Sequence, residues 1–270
     1  MNRQTKIIWI ATTAVCLSLA AYVARTTIEN YATTHLCQSL GDTAPSKEIE
    51  EKITALAHTM GVTEKIMIKK MGVAAMRIYG YHNDFACYPT LLFGVITFNK
   101  PHIFISEGFF EDLSPEEQCF IIGHELAHIQ KHHILYLNLV VGILETLMLI
   151  FWWLVLVKYI KTLAQRFNPA NQKTVRFTLM IISFVICLGI PTMLELAYRR
   201  HIEKDADITC VQTLHCADGA IKAFARWGRE CNLPLHNNYY GIFSDHPSHF
   251  ERKNYCLTCR QNDDQQKGTP

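Results

Sequence analysis

Neither sign of charge is in surplus. The 270-residue chain sets 26 lysines and arginines against 24 acidic residues, a formal net charge of +2. That balance supplies no basic field for a nucleic-acid partner. Internal repeats and low-complexity tracts are missing, which excludes a solenoid. A second Cys-x-x-Cys is also missing, as is any thioredoxin-like context around Cys256-Leu257-Thr258-Cys259. That spacing therefore reads as a local disulfide or a pair of plain thiols, not as a redox or zinc site. Charge is absent from residues 7–24 and 177–194, and residues 134–157 carry only Glu145.

These three runs are long enough, at about 18–24 residues, to cross a hydrocarbon core of roughly 30 Å. Trp152, Trp153 and Tyr159 cluster at one end of the second, where an aromatic belt belongs. Loop 158–176 carries Lys158, Lys161, Arg166, Lys173 and Arg176 with no acid, and the N-terminal tail carries Arg3 and Lys6. The positive-inside rule puts both in the cytoplasm. Residues 25–133 and 195–270 then share the opposite side. The expectation is a multi-pass protein of the bacterial inner membrane whose catalytic domain faces away from the cytoplasm, with the lipid bilayer as a partner. Residues 1–24 serve as an anchor, or as a cleaved signal ending near Ser18-Leu19-Ala20; either exports the domain. Eight of the ten cysteines lie outside the apolar runs, so partial oxidation is expected there. Glu145, near the middle of the second run, is costly in lipid, and a protonated carboxyl facing Ser or Thr of the neighbouring span accounts for it.

In the polar parts, residues 46–60 have the spacing of an amphipathic helix, with Ile49, Ile53, Leu56 and Ala57 on one side. Met76–Tyr81, Leu92–Phe98 and His102–Ser106 read as short strands. Ser114-Pro115-Glu116-Glu117 supplies an N-cap, a proline at the first helical position and a reciprocal Glu, a start signal for a helix over 115–133. Another helix runs out of the third span through Cys210, and 217–230 is helical with Phe224 and Trp227 inward. The tail 261–270 is polar and is expected to be disordered.

That capped helix carries His124-Glu125-Leu126-Ala127-His128. Histidines four apart lie on one helical face and can reach a single zinc ion, while the Glu between them can take a proton from an attacking water. A catalytic zinc needs a third protein ligand. Past the third span, Glu203 and Asp207 are four apart on the helical stretch Tyr198–Asp207, where one can bind the metal while the other accepts from the far nitrogen of a ligating histidine.

The three motifs together resemble the HtpX-like and CAAX-prenyl-protease-like zinc endopeptidases. They are the His-Glu-x-x-His helix, Glu203-Lys204-Asp205-Ala206-Asp207 after a two-span hairpin, and His246-Pro247-Ser248 with Arg252. The resemblance covers residues 46–255. It implies an α+β, predominantly helical fold: a zincin-type catalytic domain with a small mixed sheet, interrupted by a two-helix transmembrane hairpin. The divisions are then 1–24 (anchor), 25–133 (first catalytic part), 134–194 (hairpin), 195–260 (second catalytic part) and 261–270 (tail). It implies one Zn2+ per chain on His124, His128 and Glu203, with Glu125 as general base. His246 would stabilise the developing oxyanion, Asp207 would partner a ligating histidine, and Arg252 would brace the His246 loop. Asn83, with Phe85 and Ala86, would mark the strand that pairs with substrate. Protein or peptide substrates follow. A catalytically silent zinc-binding scaffold is the alternative, though it has no use for Glu125. His132, His133 and His201 read as interfacial or exposed.

Overall fold

The computed structural model describes residues 44–70, 85–87, 90–92, 95–97, 101–105, 110–230 and 246–267. Helix α1 (Lys47–Thr59) forms as its periodicity predicts and buries Ile49, Ile53 and Ala57. Strands β1 (Met67–Lys70), β2 (Phe85–Cys87) and β5 (His102–Ile105) make a mixed three-stranded sheet in the order β1-β5-β2, with β1 parallel and β2 antiparallel to β5. A separate hairpin pairs β3 (Thr90–Leu92) with β4 (Val95–Thr97). The single strand expected over Leu92–Phe98 is thus divided at the turn of that hairpin. Met76–Tyr81 and the first apolar run lie outside the described residues.

Helix α2 (Pro115–Gln130) starts at the expected capping box. The Ser114 hydroxyl accepts from the Glu117 N–H at 3.3 Å, and the Ser114 N–H donates to Glu117 Oε2 at 2.8 Å. The helix stops three residues short of its expected end, because His132 is left-handed (φ 51°) and a new helix, α3 (His133–Phe151), begins there. One π-helical turn at Trp152–Leu156 joins α3 to α4 (Val157–Ala164). Helix α5 (Gln172–Leu214) is unbroken through Pro191. At 43 residues it spans about 65 Å, roughly twice a bilayer core. It therefore forms one leg of the hairpin and also carries Glu203 and Asp207 into the catalytic part. Indole Nε1 of Trp152 donates to Ser183 Oγ at 2.9 Å, tying the two legs together.

Leu135–Ala164 and Gln172–Leu214 are long and apolar enough to cross a membrane. Their large apolar side chains face outward: Phe177 is 67% exposed and Val185 61%.

The core joins α1, β5, α2, the end of α5, α6 (Ala217–Glu230) and α7 (His249–Lys267) through Ile53, Ile103, Phe120, Val211, Phe224 and Cys256. Helices α2 and α6 pass so closely at Gly219 that a Cβ there would lie 1.9 Å from the Glu116 carbonyl oxygen. Helix α7 continues through Lys267, so residues 261–267 are helical where their composition suggested disorder. Among the described residues, Cys119, Cys187, Cys210, Cys216, Cys256 and Cys259 are not joined in disulfides. Cys210, Cys216, Cys256 and Cys259 are buried as small core side chains, a use that needs no bridge.

Candidate metal centre

Two helices build the centre. The 100° step of α2 puts His124 and His128 one turn apart on the face turned toward α5, and Gly123 allows close approach there. A Cβ on Gly123 would come within 2.5 Å of Cys210 Sγ on α5. Helix α5 presents Glu203 to both imidazoles. His124 Nε2 and His128 Nε2 are 3.1 Å apart, and each lies 3.4 Å from a different carboxylate oxygen of Glu203. For a tetrahedral ion with bonds of about 2.0–2.1 Å, neighbouring donor atoms are separated by about 3.3 Å. The Nε2 pair and each of the two contacts to the carboxylate come near that spacing, one donor atom from each residue lies within 4.8 Å of the others, and their nitrogen and oxygen chemistry suits zinc.

Behind the donors, His124 Nδ1 sits 2.8 Å from Asp207 Oδ1. Asp207 is fully buried and its remaining valence is satisfied by α7. Arg252 donates through Nε to Oδ2 and through Nη2 to Oδ1, both at 2.7 Å, and the Tyr255 hydroxyl donates to Oδ2 at 2.6 Å. The Arg252 guanidinium also lies over the Phe224 ring, 4.7 Å from its centroid.

The electrostatics follow from burial working against these pairings. Burial opposes the charged form of His124, but Asp207 and then Glu203 outweigh it and hold its pKa up at about 10. Burial pushes His128 down to about 4 despite its contact with Glu203. Glu203 is held well below the usual carboxylate range: burial resists its ionisation, and the contacts from His124 and His128 overcome that resistance. Asp207, likewise opposed by burial, is held down at about 2 by Arg252 and His124. The centre thus keeps two carboxylates ionised in a dry setting, Asp207 paired with Arg252 and Glu203 turned to the two imidazoles.

Glu125 is half-buried on α2, between the two buried histidines. His246 stands at the rim, half-exposed, with Nε2 3.6 Å from Glu203 Oε2. Arg252 grips Asp207 and lies 3.7 Å from Glu203, so its brace is on the ligand helix. Asn83 lies outside the described residues. Two contributors were not legible. Tyr255 is one, although its position three residues after Arg252 on a helix is the signal that could have found it. The other is His133, expected at the membrane interface. It is instead buried, with Nδ1 3.0 Å from His128 Nδ1. His201 is exposed as expected, and His132, expected at the membrane interface, is exposed as well.

A helix carrying His-Glu-x-x-His, joined to a carboxylate from a second helix and framed by a small mixed sheet, defines the metallopeptidase class. The sequence model of peptidase family M48 matches residues 44–255, and the chain belongs to that family. No curated protein and no solved structure matches the chain. As a peptidase of this family it acts on peptides or proteins.

Proposed function

We propose that the chain is an integral-membrane zinc metalloendopeptidase hydrolysing peptide bonds of membrane-associated or misfolded proteins, with one zinc held by His124, His128 and Glu203. The observation that carries this reading is the donor cluster, two imidazole nitrogens 3.1 Å apart that each face an oxygen of the Glu203 carboxylate, with Glu125 on the same helix. Bound there, zinc supplies polarisation of the scissile carbonyl and acidification of water. Glu125 takes the proton of the attacking water and delivers it to the leaving amine. Its half-buried position beside two buried ligands supports that role. Asp207, clamped by Arg252 and Tyr255, holds the His124 ring in register. His246, at the rim beside Glu203, donates to the developing oxyanion. Among the described residues β2 is an edge strand beside α2. An extended substrate can add to it by strand pairing, with Asn83 just before it as a substrate contact.

The outward-facing apolar side chains of α3 and α5 support insertion in a bilayer, since a patch of that extent is unstable in water. The acid-free basic loop 158–176 supports a cytoplasmic loop and a site on the opposite side.

The test is degradation of an unfolded protein by the detergent-purified chain beside Glu125→Gln, with zinc content measured in both. Cleavage by the wild type alone, with about one zinc bound to each, is the expected result. Zinc in both without cleavage in either would favour a silent zinc-binding scaffold, and zinc in neither would overturn the ligand set.

A further inference from the structure

His133 occupies a place that helical repetition does not give it. On an unbroken helix, residues five apart point about 140° away from each other round the axis, so the rings of His128 and His133 would diverge. Instead α2 ends at Gln130 and His132 adopts φ 51° and ψ 35°. A β-carbon-bearing residue in this left-handed region costs on the order of 1–2 kcal/mol and persists where its surroundings hold it. His215 is the other non-glycine residue with positive φ among the described residues, and it ends the ligand helix α5. The break at His132 swings His133 beneath the metal centre. Its Nδ1 comes to 3.0 Å from His128 Nδ1 and its Nε2 to 3.0 Å from Asp205 Oδ2. Lys131 Nζ lies 3.5 Å from the same Asp205 oxygen, placing a cation on the outer end of the chain.

The hydrogen-bond directions have one arrangement that suits a bound metal. A histidine that coordinates through a bare Nε2 carries its proton on Nδ1. His128 Nδ1–H then donates to His133 Nδ1, which must be unprotonated. The His133 proton is thereby confined to Nε2, which donates to Asp205. Each nitrogen in the chain has a defined role, and the carboxylate at its end can only accept. The reverse direction would put the His128 proton on Nε2, facing His124 and Glu203, where it blocks coordination.

We propose that His133, oriented by Asp205, is the positioning residue for His128: it fixes the plane and tautomer of the ligand ring as Asp207 does for His124. The inference rests on the metalloendopeptidase reading and adds a second, separate support to its ligand set. Glu203, Asp205 and Asp207 then divide the work of one helix between binding the ion and serving the two histidines. Such outer partners typically contribute 10–100-fold in metal affinity.

The experiment is a zinc dissociation constant, by chelator competition, for the full chain and three variants, with the visible spectrum of the cobalt(II) forms alongside. His133→Phe keeps the ring and removes both nitrogens. It is expected to bind zinc about 10–100-fold more weakly and to change the cobalt spectrum. His133→Asn, whose amide can stand where Nδ1 stood, is expected to recover most of the loss. Thermal melts of the metal-free proteins establish that each variant folds. If His133→Phe does not fold, Asp205→Ala carries the test, since it removes a part-exposed side chain and with it the acceptor of His133 Nε2–H, and weaker zinc binding is expected there too. Wild-type affinity and an unchanged cobalt spectrum in folded His133→Phe, or wild-type affinity in folded Asp205→Ala, overturn the positioning role alone. A wild-type chain that binds no zinc overturns the ligand set and this inference with it.

Discussion

At the residue scale, the centre is held by one buried carboxylate that answers to three partners. Asp207 faces His124 on one side and is gripped by Arg252 and Tyr255 on the other. The energetic asymmetry is that removing a partner exposes an uncompensated buried charge, which costs more than the pair itself contributes. Arg252→Ala is therefore expected to destabilise the fold by about 3–5 kcal/mol. Tyr255→Phe, which removes a single hydrogen bond to a charged group, is expected to cost about 1.5–3 kcal/mol. Urea unfolding of the detergent-solubilised variants measures both. An Arg252 variant no less stable than Tyr255→Phe would mean that Asp207 is not held ionised by the guanidinium. The sequence made Asp207 and Arg252 visible as motif members but not as each other's partner. Residues 45 positions apart carry no local pattern that announces a fork between them.

At the element scale, the helix that supplies the ligands is fixed at its first turn as well as its middle. Glu117 closes the capping box with Ser114, and its carboxylate also accepts from Arg226 Nε at 2.9 Å and Nη2 at 3.1 Å. One side chain thus caps α2 and joins it to α6. Burial works against the Glu117 charge, but the Arg226 bond and the Ser114 N–H outweigh it and lower the pKa from its ordinary 4.5. A carboxylate depressed by folding stabilises the protein above its unfolded pKa, and that contribution is lost as the pH falls through the lower folded value. Glu117→Gln keeps an acceptor for the cap and removes the charge. Its melting temperature is expected to fall below the wild type at pH 7, with the gap narrowing once the pH drops under 4.5. A gap that stays constant on acidification would show that the ion pair contributes nothing. The start of α2 was legible because capping chemistry is local: Ser114, Pro115 and Glu117 lie within four residues. Its end was not, because His132 is a residue of ordinary helical tolerance whose left-handed turn is imposed by packing around His133. The same reason hid the helicity of 261–267, which continues an α7 anchored by the buried Arg252, Cys256 and Cys259.

At the scale of the whole molecule, the hairpin is the feature that decides where the chemistry happens. The two histidines precede it and Glu203 follows it, so an even number of crossings lies between the ligands. A hairpin that crosses a bilayer leaves them on one side whichever way it is inserted, and the unbroken α5 carries Glu203 directly from its apolar stretch to the site. The motifs made the meeting of His124, His128 and Glu203 readable in the sequence, and the structure brings the three together. Orientation is a separate matter that rests on Lys158, Lys161, Arg166, Lys173 and Arg176 in the connecting loop. Moving that cluster across a membrane is unfavourable, so the loop is expected to remain cytoplasmic. A green fluorescent protein inserted after Asn168 should fluoresce, and an alkaline phosphatase at the same place should be silent. The opposite pattern would turn the metal centre toward the cytoplasm and change the pool of proteins it meets. It would leave the ligand set intact, because reversing the hairpin moves both of its flanks together.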